Sequence, residues 1–175
     1  MTNIYENREE FSKEFKDFKK NCQYLKENYL LIIDIEQGLD DNDPNKFELQ
    51  SFLFNMRTFL PQLSLLGTTL ETRRIDLLKA EASFLYNSYK NATKGLSSGQ
   101  LLEMNYNNFE LKDEDKEKYL EKYSPNWQDI RNSLELTTLV LDEYLKQADE
   151  LKASIKAASK KSQVRLRNPY SRSKP

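Results

Sequence analysis

Between Ile4 and Ile32 the apolar positions keep a four-three rhythm: Ile4, Phe11, Phe15, Phe18, Cys22, Leu25, Tyr29 and Ile32, with Arg8 at the one polar step. Side chains three and four apart share one helix face, so this spacing predicts a helix over residues 4–37 with a continuous seam. Gly38 is expected to stop it, because glycine readily takes the left-handed conformation that closes a helix. Asp40-Asp41-Asn42-Asp43-Pro44-Asn45 reads as a turn and a restart, with Asp43 as the cap and Pro44 as the first helical residue. The next helix runs through Phe47, Phe54 and Phe59. Pro61 has no N–H and disfavours helix at Leu60, so a kink or break is expected there, with helices over 45–60 and 62–94. The second of these carries the stripe Leu63, Leu66, Leu70, Leu77, Ala80 and Phe84, interrupted by Arg73, and Lys94-Gly95 closes it.

Residues 95–112 read as a polar loop with a turn at Leu101–Met104, and residues 113–122 as a short charged helix. Ser124-Pro125 is expected to open a last helix over 125–166, serine as cap and proline at the first position. Its seam is Trp127, Ile130, Leu134, Thr137, Leu141, Tyr144, Ala148, Leu151, Ile155 and Ala158. Such a helix would be about 60 Å long at 1.5 Å per residue. Asn168-Pro169 lies past its end, so residues 167–175 are expected to form an extended basic C-terminal arm. No segment alternates as a strand does, and no fixed-period repeat is present. The expected fold is all-α: one domain over 1–166, a long-helix antiparallel bundle, coiled-coil-like in its seams. Phe11, Phe15, Phe18, Leu25, Trp127, Ile130, Leu134 and Leu141 are its expected packing or oligomer seam. Leu30, Leu31 and Ile33 fall off the first seam, and Leu136, Leu139, Val140 and Leu145 off the last. That apolar face is wider than one pairwise contact needs, so a homo-oligomer or a larger assembly is expected.

Composition agrees with long helices: 31% of residues are charged, while glycine and proline number only 4 and 5. Ten Tyr and nine Phe are too many aromatics for a disordered chain. A single cysteine, Cys22, permits no internal disulfide and leans toward a reducing compartment. The first residues show no basic-then-apolar leader, and the longest strongly apolar run is Leu30-Leu31-Ile32-Ile33. The expected location is therefore cytoplasmic, or virion-associated if the chain is phage-encoded, with no membrane partner.

The absence of histidine removes Ser-His and Cys-His catalysis and most catalytic zinc sites. Neither common phosphate-cradling glycine motif occurs. No pair of carboxylates stands out, so the expectation is no enzyme, no cofactor and no metal. Asp41-Asn42-Asp43-Pro44-Asn45 resembles the start of a calcium loop, but positions six and twelve are Lys46 and Phe52 instead of glycine and a carboxylate. Cys22, between Phe18 and Leu25, reads as a small core residue. Of Arg73 and Arg74, one is expected exposed and the other paired with a carboxylate. Phe84, Tyr86 and Tyr89 read as core aromatics, with base stacking as the alternative.

Charge is split along the chain. Residues 151–175 hold eight basic residues and no acidic one; the other 19 of the 27 basic residues and all 28 acidic ones come earlier. The body is therefore −9 and the tail +8. Lys152, Lys156 and Lys160 form an i, i+4 stripe, continued by Lys161 and Arg165 and then by Arg167, Arg172 and Lys174. Helix-dipole compensation accounts for two or three cations in a last turn, not eight. This stripe is the candidate binding site, for nucleic-acid phosphates or for an acidic protein surface.

The run Leu77-Leu78-Lys79 to Leu85-Tyr86-Asn87-Ser88-Tyr89-Lys90, a polar loop, and then a long helix with a basic end resemble the recombination mediator proteins of T4-type phages. That resemblance covers about half the chain and implies a small helical oligomer that loads a recombinase onto single-stranded DNA. The family's paired tyrosines followed by glycine are broken up here, since Tyr86 and Tyr89 are separated and Gly95 comes late, and the first 60 residues have no counterpart. An acidic helical body with a basic C-terminal segment also resembles phage scaffolding proteins. The expected function is a non-enzymatic helical assembly or adaptor protein docking through its basic arm. The alternative is a nucleic-acid-binding accessory protein.

Overall fold

The computed structural model describes residues 3–167, with side-chain surroundings for residues 3–158. The described chain is all-α: α1 (Glu6–Gln37), α2 (Lys46–Thr93), the short α3 (Ser98–Glu103), a 3-10 turn (Tyr106–Asn108) and α4 (Asp113–Arg167), with no strand among the described residues. No helix among them is long and apolar enough to cross a membrane. Contacts group the residues into two compact units: Met1–Phe18 with Leu65–Leu136, and Lys19–Ser64 with Thr137–Pro175.

In the first unit, α1 is started by Asn3, whose side chain accepts from the Tyr5 N–H at 3.0 Å and donates to Glu9 at 2.9 Å. The seam aromatics Phe11, Phe15 and Phe18 stack successively at 5.3 and 6.0 Å between centroids, and Phe11 meets Trp127 at 5.7 Å. Asn7 donates to Ser124, and Arg131 reaches both Asn7 and Glu14. Those pairs ascend together, so here α1 and α4 run parallel. Arg8 pairs with Glu81, while a Cβ on Gly67 would lie 3.8 Å from the Phe18 ring, so α2 descends against α1. Gly95, at φ +82°, ends α2 as expected. The following segment is more structured than a loop: Ser97 and Gln100 form a capping box on α3, and Tyr89 donates to the Met104 carbonyl at 3.1 Å.

The polar centre of this unit is Glu81, only 1% exposed. It accepts hydrogen bonds from Tyr119 and Trp127, each at 2.5 Å, and pairs with Arg8 at 2.8 Å. A carboxylate pays heavily to leave water unless its lone pairs are satisfied, and here three donors from α1 and α4 do so. Burial first, then the Glu81 bond, hold the Tyr119 hydroxyl well above the ordinary tyrosine range.

In the second unit the buried apolar residues are Leu25 and Ile32 of α1, Leu49, Phe52, Leu53, Met56 and Leu63 of α2, and Leu141 and Ala148 of α4. Phe59 packs on Tyr144 at 4.5 Å. Asn28 is buried among them; its carbonyl oxygen accepts from Lys152 at 2.5 Å, and its amide nitrogen has no partner. At the α1–α2 turn, Asp43 accepts from the Asn45 N–H and Lys46 pairs with Asp41 at 2.8 Å. The Lys46 bond holds the exposed Asp41 carboxyl below the usual carboxylate range.

Three local expectations differ from the structure. Gly38 follows the last residue of α1, but it is not left-handed; its N–H closes the helix on the Asp34 and Ile35 carbonyls. Pro61 lies inside α2, so the expected helices at 45–60 and 62–94 are one. A proline removes one backbone bond and costs about 3 kcal/mol, whereas buried Met56 and Leu63 hold the helix on both sides of it. Pro125 likewise lies inside α4, so 113–122 and 125–166 join into one helix. Buried Tyr119, Tyr123, Trp127 and Ile130 carry it through, and Ser124 serves as acceptor for Asn7 instead of as a cap.

Replacing Glu81 by alanine leaves buried donors on Tyr119 and Trp127 and an uncompensated Arg8. The substitution should lower unfolding free energy in urea by about 3 kcal/mol, and Glu81→Gln, which keeps an acceptor oxygen, should cost less. A loss under about 1 kcal/mol for alanine would contradict the role given to this carboxylate.

Candidate functional site

The basic stripe divides where its side chains can be followed. Lys152, its first member, is committed inside the second unit: its ammonium contacts Asn28, lies 3.3 Å from Asp149 and sits over the Tyr24 ring at 5.4 Å. Lys156 is exposed one turn further along α4. Lys160, Lys161, Arg165 and Arg167 fall on the backbone of α4, but their side chains lie outside the described residues. Arg172 and Lys174, with the expected extended arm, lie outside the described residues altogether. Among the stripe's described side chains, Lys152 is therefore engaged by its own unit while Lys156 faces solvent.

The eight seam residues sit inside their units. Phe11, Phe15, Phe18, Leu25, Trp127, Ile130, Leu134 and Leu141 are at most 3% exposed in a single chain, so their surface is already covered. The off-seam residues behave otherwise. Leu30, Leu31, Leu139 and Val140 of the second unit and Leu136 of the first are exposed, whereas Ile33 and Leu145 are half-buried; Phe47 and Phe54 of the second unit are exposed at 79% and 70%. Phe47 and Phe54 are seven residues apart and so share one face of α2. Phe47 also rims a groove of about 370 Å³ whose lining includes Phe52, Leu151, Glu48 and Glu150 and no cation.

The remaining candidates separate in the same way. Arg73 is exposed, while Arg74 makes a two-pronged pair with Glu71 at 2.7 and 3.0 Å. Phe84 packs on Tyr119 and Tyr123, whereas Tyr86 is half exposed, edge-on to Tyr106. Cys22 is half-buried, and burial pushes its thiol up to about 11. Among the described residues no group of three or more His, Cys, Asp or Glu side chains could hold a metal ion.

Sequence reasoning missed a second groove, in the first unit between α2 and α4, of about 450 Å³. Ser83, Asn87 and Asn91 line it from α2, and Lys118 and Lys122 from α4. Both sets repeat at i, i+4, which was visible in the sequence; their meeting across the groove needed the pairing of α2 with α4.

No family model, no curated protein and no solved structure matches the chain.

A thiol whose folded value is raised contributes stability fully present below its ordinary value of 9.0 and lost as pH rises from there toward about 11. Titrating the thiolate absorbance of the folded protein should give a midpoint near 11, and Cys22→Ser should flatten the stability loss over that window. A midpoint at or below 9 would contradict the half-buried placement.

Proposed function

We propose that this chain is a non-enzymatic helical assembly or adaptor protein: an antiparallel bundle, coiled-coil-like in its seams, that joins further copies of itself through apolar side chains left outside those seams and meets an acidic partner through its basic C-terminal end. The observation that carries the reading is the exposure of Phe47 and Phe54 on one face of α2. Two phenylalanines in water at a seven-residue spacing each forgo burial worth about 1.5–3 kcal/mol, which a contact with another chain recovers. The seams cannot supply that contact, since their residues are already covered.

Charge supports the same reading. The body is −9 and the last 25 residues +8, so the C-terminal end of one copy complements the body of another as well as any other acidic surface. The groove beside Phe47 holds Glu48 and Glu150 with apolar Phe52 and Leu151, a lining suited to a cationic segment with apolar members. The second reading, nucleic-acid binding, rests on the same eight cations and on Lys156 facing solvent.

Light scattering at tens of micromolar should give a mass above one chain for the wild type and a mass shifted toward one chain for Phe47→Ser/Phe54→Ser with unchanged helicity. A wild type that is monomeric throughout would refute self-association. Oligonucleotide binding that falls steeply with salt and disappears on deletion of residues 160–175 would favour the second reading; no binding at low salt would eliminate it.

A further inference from the structure

We propose that the groove between α2 and α4 in the first unit binds a phosphate monoester on a small hydroxyl-bearing body, of the size of a sugar phosphate or a nucleoside monophosphate. This goes beyond assembly and does not depend on it.

The groove measures about 450 Å³, within the range of small-molecule sites. Its α2 wall presents Ser83, Asn87, Ser88 and Asn91, and its α4 wall Lys118 and Lys122. Ser83, Asn87, Asn91, Lys118 and Lys122 are exposed and Ser88 is half-buried, and each of the six can donate to a bound oxyanion or hydroxyl. The contrast with nearby hydroxyls is informative: Thr69, Thr72 and Thr93, also on α2, all turn back to bond the carbonyl four residues earlier. Among the described residues Ser83 and Ser88 make no such back-bond, which leaves their hydroxyls directed away from their own helix.

The walls are registered by contacts on the floor. Phe84 meets Tyr119 and Tyr123 at 6.0 and 5.8 Å, and Tyr123 donates to the Ala80 carbonyl at 3.1 Å. With α2 and α4 antiparallel there, Ser83 and Asn87 come level with Lys122 and Lys118. Two ammonium groups one turn apart face neutral donors across the groove, and Asp115 is the one acid of its lining. Lys122 is further steadied over the Tyr123 ring at 5.5 Å.

The far end of the groove differs. Asp115, one turn before Lys118, lines it opposite Asn91. A carboxylate repels a second phosphate and accepts from hydroxyls, so the walls together select one anionic group with a neutral hydroxylated body beside it. The half-buried Phe84 ring offers the apolar surface on which a sugar or base can lie.

Calorimetric titration of the full chain with ribose 5-phosphate, adenosine monophosphate and adenosine tests this. Saturable binding of either phosphate ester, with adenosine binding at least tenfold more weakly, is the expected result; equal affinity for the two esters assigns recognition to the sugar phosphate, and a tighter monophosphate adds the base. The double variant Lys118→Gln/Lys122→Gln should weaken binding at least tenfold, while Lys16→Gln/Lys20→Gln, an exposed i, i+4 pair on α1 that removes the same charge, should leave it unchanged. Retained thermal unfolding of both variants shows that folding is not what changed. Absence of binding by either ester at millimolar concentration, or equal loss in the two lysine variants, would overturn the proposal.

Discussion

A buried carboxylate sets the terms for the first unit. Glu81 on α2 is reached by Arg8 from α1 and by Tyr119 and Trp127 from α4, so one acid is shared by three helices. Apolar seams alone tolerate sliding by a heptad, since one apolar contact is much like the next. A buried charge does not: a shift of one turn strands it without donors, at a cost of several kcal/mol. The stacked phenylalanines of α1 supply attraction, and Glu81 selects the register in which they meet Trp127. Asn28 plays a smaller part of the same kind in the second unit, where Lys152 is drawn to its carbonyl oxygen.

That use of Lys152 bears on function. Lys152, the first cation of the stripe, is engaged by Asn28, Asp149 and Tyr24 of its own unit, and Lys156 is the first that is exposed. Elsewhere, apolar side chains face water in both units, Phe47 and Phe54 in the second and Leu65, Leu102 and Leu136 in the first, and the groove of the first unit adds exposed polar ones. The former suit another protein chain; the latter suit a small anion. Assembly and ligand binding are compatible in such a division, because the face of Phe47 and Phe54 and the groove belong to different units.

The all-α fold was readable in the sequence because four-three spacing is a direct image of helix geometry; Phe11, Phe15, Phe18, Leu25, Trp127, Ile130, Leu134 and Leu141, picked out by that spacing, are buried. The prolines misled because local rules count the missing N–H of Pro61 and Pro125 but not the buried residues that bridge them. Glu81 was legible in part: it stands four residues after Leu77 and three before Phe84, on the apolar stripe, where an acid is out of place. What the sequence did not show was its donors, which lie 73 residues before it and 38 and 46 residues after it. The groove was illegible for the same reason, since its two walls are distant segments brought together only by packing.

Native-state amide exchange measures the anchoring role of Glu81 most directly. If its network holds the first unit, amides around residues 78–85 and 119–130 should exchange only through global unfolding, far more slowly than those of the exposed α3. Exchange around Glu81 as fast as in α3 would contradict it.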